Sequence, residues 1–329
     1  MSDTLHVEPG TIRQRRRPVS PTYILFGALV VMTAVFSALS KDFYSFQNIS
    51  TMLTNISFSG IVAGTLTLVM ITGGLDISVG GNVALTSCLL AYLFNLKGAP
   101  VPAWALVPIA LCLGLLIGAF NGFFITRLDL NPIITTLGTM SVTKGLGYVL
   151  TKSRSILIME DVTGFFGRSV IPGIQIPIPL VLFAVIFAAL FFLLSRTKFG
   201  RKVYCVGSNA SAARVSGIKV NRVKFILYVM SGVAASLSGL ILTGQTAVGM
   251  PQHARGMELD VITAVLLGGT ALAGGKGSIL GTLAGVLILG VLYNGFTMVG
   301  FRYVHISVFQ GVLLILIVAL YEMRERKRY

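Results

Sequence analysis

An all-α protein that crosses the membrane about ten times is the fold this sequence predicts, and three observations predict it. Of its 329 residues, 54% are hydrophobic and only 11% charged, with a mean hydropathy of +0.86, whereas soluble domains carry about 25% charged residues. The apolar residues run in stretches long enough to bridge a bilayer, which takes about 20 of them. The basic residues behind the net charge of +15 sit in the short segments between those stretches, where the positive-inside rule puts them. Nucleic acid is therefore not the implied partner. Segments of about 10 alternating residues, the mark of a membrane β-barrel, are absent.

The spans are expected at 22–39, 57–72, 77–96, 103–126, 133–151, 177–195, 224–245, 259–274, 278–298 and 305–321. Arg13, Arg15, Arg16 and Arg17 before an apolar stretch ending in "FSALS" faintly resemble a signal peptide, but the stretch suits a first span better. Residues 46–56, "FQNISTMLTNI", read as an interfacial elbow into the second span. With the N-terminus inside, 18 of the 26 Lys and Arg residues fall on the internal side, eight of them between 196 and 224. That bias puts both termini in the cytoplasm. The organisation is a tail of residues 1–21, a membrane domain of residues 22–321 with an internal loop at 196–223, and a tail of residues 322–329. Cys88, Cys112 and Cys205 imply no disulfide framework.

The halves echo each other. "GLLIGAFNGF" (114–123) resembles "GVLILGVLYNGF" (285–296), and "LDIS" (75–78) resembles "LDVI" (259–262). An offset of five spans reverses orientation, so the echo implies a 5+5 inverted repeat, a signature of transporters.

Asp76 lies in "ITGGLDISVGG" (71–81). A carboxylate in mid-span costs about 3 kcal/mol, but at a helix start it caps free N–H groups and gains roughly 0.3–1 kcal/mol from the dipole. Asp76 and Asp260 are thus expected to cap spans three and eight. Gly73, Gly74, Gly80 and Gly81 also suit a flexible turn at a gate, and the two readings are compatible.

Residues 195–224, "SRTKFGRKVYCVGSNASAARVSGIKVNRVK", are too polar to span and rich in small residues that would form short helices. One reading is a solvated basic loop; the other, favoured by its length and pattern, is a docking segment. Together with "GGLDISVGG" (73–81) and "ELDVITAVLLGGTALAGGKGSILGTLAGVLILGVLYNGF" (258–296), it resembles the permease subunits of ATP-binding-cassette importers for monosaccharides. The likeness is to the ribose, xylose and galactose branch, nearest to its ribose members, over about residues 22–321.

That resemblance implies a ten-span permease of the bacterial cytoplasmic (inner) membrane that pairs with a second copy, cytoplasmic ABC ATPase subunits and an extracytoplasmic substrate-binding protein. Importers of this kind dock their ATPase through an E-A-A-x-x-x-G pattern. Ala212, Ala213 and Gly217 match it, Ser211 replaces the acid, and Asn209 and Arg214 complete the coupling set. Small residues let a short helix enter an ATPase cleft, where Arg214 can pair with an acidic rim.

"TALAGGKGS" (270–278) fails the phosphate-binding P-loop at both Thr270 and Gly277. It is expected instead to form a tight cytoplasmic turn, with Gly274 and Gly275 as gate elements. ATP and Mg therefore belong to the partner ATPase, and no cofactor is expected on this chain. His6, His253 and His305 are dispersed, with no metal spacing or catalytic constellation, so the chain is not expected to be an enzyme. Trp104 reads as an interfacial anchor.

Polar span residues are candidates for the pathway: Asn55, Thr65, Asn82, Thr86, Asn121, Thr135, Thr139, Gln245 and Thr263. Amides and hydroxyls suit a neutral polyol, but they also serve as helix–helix ties worth about 0.6 kcal/mol each. Lys144 is the exception to the lack of mid-span charge, which argues against a proton relay. On the outer face, Lys152, Arg154, Arg168, Arg255 and Arg302 depart from the bias and suit docking of an acidic binding protein. The alternatives are a nucleoside or branched-chain amino acid as cargo, an ion-coupled secondary transporter, and a membrane scaffold without transport.

Overall fold

The structure, a computed structural model, describes residues 21–96, 101–158 and 161–326. In chain order it contains α1 (Pro21–Leu39), a 3₁₀ turn (Lys41–Tyr44), α2 (Phe46–Ile71), α3 (Val79–Phe94), α4 (Ala103–Arg127) and α5 (Pro132–Thr151). Then come β1 (Ile156–Leu157), α6 (Asp161–Gly167), α7 (Ile178–Arg196), α8 (Lys198–Ser208), α9 (Ala210–Val215) and α10 (Val220–Thr246). The chain ends with β2 (Val248–Gly249), α11 (Met257–Leu267), α12 (Ile279–Met298) and α13 (Tyr303–Arg326). A helix occupies each of the ten expected spans. Among the described residues, α2, α4, α7, α10 and α12 are long and apolar enough to cross a membrane. The basic tail residues Arg13, Arg15, Arg16, Arg17, Lys327 and Arg328 lie outside the described residues, as do His6 and Lys97.

Local chemistry fixes several helix starts. Ser45, Asn131, Thr197 and Ser278 each accept a backbone N–H of the first turn of α2, α5, α8 and α12, satisfying donors that have no partner inside the helix. Pro132 opens α5, where its missing N–H costs nothing.

Burial sorts the helices. The apolar windows of α2 and α10 are 83% and 67% buried, against 28% for α4 and α7. The first pair therefore forms the centre, and the second turns much of its surface outward, as lipid-facing helices do. α10 packs on α2, α3 and α4, while α2 packs on α7, α11 and α12. The α4–α10 contact is close because Gly118 and Gly232 face backbone: a Cβ at either would run into the opposite helix. β1 and β2 pair antiparallel, Ile156 with Gly249 and Leu157 with Val248, tying the polar segment after α5 to the end of α10.

Three expectations change. The stretch 46–56 is no separate elbow, because α2 runs unbroken from Phe46 to Ile71; its polar residues face a cavity described below. Span eight, expected at 259–274, is only the 11-residue α11, about 16 Å of helix against a hydrocarbon core of about 30 Å. Gly256 and Gly269, at φ +83° and +86°, bracket it with backbone that other residues adopt poorly. Neither Asp76 nor Asp260 caps a helix: the cap residues are Ser78 for α3 and Gly256 for α11.

The first turns of α3 and α11 meet inside the bundle. A Cβ at Gly80 would overlap Glu258 Oε2 and lie 3.2 Å from the Ala254 carbonyl. Gly81 is equally tight against Met140 and Thr143 of α5. Glu258 Oε1 in turn pairs with Lys144 Nζ of α5 at 3.2 Å, which accounts for the one cation inside a span.

Candidate functional site

Asp76 organises the non-helical segment that leads into α3. It is buried, and its Oδ1 accepts both the Ser78 N–H at 3.0 Å and the Ser78 hydroxyl at 2.6 Å. Oδ2 accepts the Ser231 hydroxyl of α10 at 2.7 Å. Asn121 of α4 donates to Ser78 Oγ and accepts from Thr139 of α5, at 2.8 and 2.6 Å. One carboxylate thus anchors a network that crosses α4, α5 and α10, and every neighbour it uses is a hydroxyl or amide. Asn82 does the same for α3 and α10, donating to the Gly232 carbonyl and accepting from Thr86 and Ser236.

The two glycine turns expected at a gate come together. Ile71, the last residue of α2, accepts the Gly275 N–H at 2.8 Å. Gly73, Gly274 and Gly275 all have φ between +73° and +86°, and a Cβ at Gly274 would sit 2.8 Å from Gly73 N. α8 closes on this pair. A Cβ at Gly207 would overlap the Ile71 carbonyl oxygen and approach Gly275 N to 2.7 Å, while Tyr204 donates to the Gly277 carbonyl at 2.8 Å. Burial pushes the Tyr204 phenol upward, which keeps it a donor. Gly74, next in line, packs against Val69 and the Tyr228 hydroxyl.

From this junction the basic segment continues into α9, as two short helices rather than a loose tether. Asn209 caps α9 by accepting the Ala212 N–H at 2.9 Å, and Gly217, at φ +79°, follows its end. Ala213 is buried, whereas Ala212 and Arg214 are exposed and Val215 is 92% exposed.

A cavity of about 1000 Å³ lies between the first half of α2, the end of α10, the start of α11 and the second half of α12. Asn48, Thr51, Asn55 and Ser59 line it from α2, and Tyr293, Asn294 and Thr297 from α12. Asn48 and Asn294 exchange amide hydrogen bonds of 3.0 and 2.7 Å across it. Tyr293 Oη donates to Asp260 Oδ1 at 2.9 Å. His253, also in the wall, has Nδ1 at 2.7 Å from Ser87 Oγ, and burial lowers its pKa to about 4.

Of the nine polar pathway candidates, Asn55 lines this cavity, and Gln245 Nε2 donates to Asn55 Oδ1 at 2.9 Å. The others do not reach it. Thr65, Thr135 and Thr263 bond carbonyls of their own or the preceding turn, and Asn82, Thr86, Asn121 and Thr139 are the interhelical ties above. Arg154, Arg168, Arg255 and Arg302 are exposed, and Arg255 reaches the cavity rim. Asn48, Glu258, Tyr293 and Asn294 were not singled out from the sequence. A signal existed for Asn294: the echo "NGF" that contains Asn121 repeats at 294–296.

Helices that stop and restart inside an apolar bundle surround a path for a polar solute in membrane transporters, because buried irregular backbone is tolerated there. The class is therefore a multi-pass membrane permease. Over residues 48–318 the sequence matches the family described as the permease component of branched-chain amino acid transport systems, and the chain belongs to that family. It is 37% identical over 295 residues to the ribose import permease of Escherichia coli strain K12, covering 88% of this chain and 90% of that protein. Similarity to the Bacillus subtilis strain 168 ribose import permease is 38% over 297 residues, 90% and 91% of the two chains. The L-arabinose transport system permease of E. coli K12 is 33% identical over 293 residues, 88% of each. No solved structure matches.

Proposed function

We propose that this chain is the membrane subunit of an ATP-driven importer that moves a ribose-like monosaccharide into the cell by alternating access. Ten of its helices are spans in two inverted halves, α1 to α5 and α7 with α10 to α13, with both termini cytoplasmic. A loaded binding protein docks on the outer face near Arg154, Arg168, Arg255 and Arg302 and delivers sugar to the cavity. Beneath it, the adjoining starts of α3 and α11 divide the outer from the inner half-path. ATP and Mg act in a separate ATPase that seats α9, and this chain binds neither. A second copy of this chain completes the assembly as a homodimer.

One observation carries the coupling part of this reading. α8 lies in backbone contact with the turns that end α2 and precede α12, through Gly207, Ile71 and Gly275. A push on α9 therefore reaches both halves without passing through a flexible linker. The cargo reading is supported by relatives named for ribose and L-arabinose and by a cavity wall rich in amides and hydroxyls. The family's description favours a second cargo, a branched-chain amino acid.

Replacing Arg214 and Gly217 together by Glu should uncouple ATP hydrolysis from uptake in proteoliposomes that hold the ATPase and binding protein. Full coupled uptake by that variant contradicts the docking role. Competition of labelled ribose by leucine separates the two cargoes.

A further inference from the structure

Two carboxylates line the cavity: Asp42 is exposed in the 3₁₀ turn, whereas Asp260 lies within the bundle on α11. Glu258 is neutralised by Lys144 and Asp76 is spent on Ser78 and Ser231, but Asp260 has no Lys, Arg or His within 4.0 Å among the described residues. Its Oδ1 accepts from Tyr293, and no described donor reaches Oδ2. An ionisable side chain kept within a membrane bundle is expensive and marks function unless it is paired. Asp260 lines the cavity together with Tyr293, whose hydroxyl fixes the plane of the carboxylate.

Asn294, the next residue of α12, also lines the cavity and is held by its reciprocal bonds to Asn48. These groups match the two surfaces of a sugar. A monosaccharide presents C–H faces, which cover aromatic rings, and an equator of hydroxyls that donate to planar oxygen acceptors. No group of three or more His, Cys, Asp or Glu suited to a metal exists among the described residues, which points away from a metal ion as the occupant.

We propose that Asp260 and Tyr293 form a sugar-contact site in the cavity wall: Asp260 Oδ2 accepts a hydroxyl of the passing sugar while the Tyr293 ring lies against its C–H face. The permease then contributes to selectivity, in addition to the binding protein. The site rests on the monosaccharide-importer reading.

The test compares initial ATP-driven uptake of ribose and of its singly deoxygenated analogues at saturating loaded binding protein. It uses the wild type, Asp260→Asn and Tyr293→Phe, each reconstituted with its ATPase. The binding protein's own preference is common to all three and cancels in the ratios between variants. Asp260→Asn is expected to lose about tenfold on ribose but little on the one analogue lacking the contacted hydroxyl. Tyr293→Phe keeps the ring and shows a smaller loss with the same pattern. Equal losses on every analogue, or none, overturn the site. Co-purification with the ATPase reports assembly, and variants that assemble yet lose all sugars alike count as structural damage against the proposal. If wild type accumulates no sugar at all, the importer reading falls, and the site falls with it.

Discussion

Removing Lys144 should leave Glu258 as an uncompensated buried charge. At 3.2 Å and an effective dielectric of 20, the Coulomb attraction of the pair is about 5 kcal/mol, much of it offset by desolvation. Breaking such a pair from one side costs roughly 3–5 kcal/mol. The lysine side chain is 27% exposed and Glu258 11%, so solvent screening favours the lower end, about 3 kcal/mol. Spread over the unfolding entropy of 329 residues, that lowers the thermal midpoint of Lys144→Met by about 4 °C.

Cys88 is fully buried in α3 against Gly147 of α5, whereas Cys112 and Cys205 are exposed. With the two exposed thiols replaced by Ser, a thiol-reactive fluorogenic dye reports the unfolding of the α3 region from one site. The double variant Lys144→Met/Glu258→Gln should recover most of the loss, since it removes the stranded charge. Additive losses in the double variant, or an unchanged midpoint in Lys144→Met, would refute the pairing argument.

Gly207→Val should push α8 off Ile71 and Gly275, lowering coupled uptake severalfold while the ATPase still binds; unchanged uptake would remove the junction from the mechanism. Charge reversal at Arg154 and Arg255 should weaken binding-protein stimulation of ATP turnover and flatten its salt dependence. For His253, the folded pKa of about 4 lies below the ordinary value near 6.5. The unfolded chain therefore takes the proton first, so this residue withdraws stability as pH falls from about 6.5 to 4 and has no effect above that window. His253→Gln should be less acid-sensitive over that range in the dye assay, with no difference at pH 8.

Helix existence was legible because length and hydropathy alone separate membrane-crossing segments from their connections. Function-bearing detail was less so, for two physical reasons. Polar residues in a helix read as surface, so Asn48 and Thr51 suggested an interface, whereas they line a cavity. Conversely, Asn82 and Asn121 looked like pathway groups but satisfy backbone and hydroxyl partners between helices. Nothing in a single sequence distinguishes a buried amide facing water from one facing a neighbour.

The shortness of α11 was hidden by "LLGGTALAGG", which is apolar enough to extend a span. Gly269, Gly274 and Gly275 take positive φ instead, and the last two build the turn that meets Gly73. The doublets Gly73–Gly74 and Gly274–Gly275 were legible as turn residues, but the contact between the two turns was not. Gly207 was missed because a lone glycine in a basic helix carries no mark of what approaches it.

The most direct measurement is labelled ribose accumulation in proteoliposomes containing this permease, its ATPase and a loaded binding protein, with ion gradients collapsed by ionophores. Accumulation that requires ATP inside the coupled assembly, and disappears when α9 carries the Arg214→Glu and Gly217→Glu changes, is the predicted result. Uptake that persists without ATP and follows an imposed ion gradient would contradict the account.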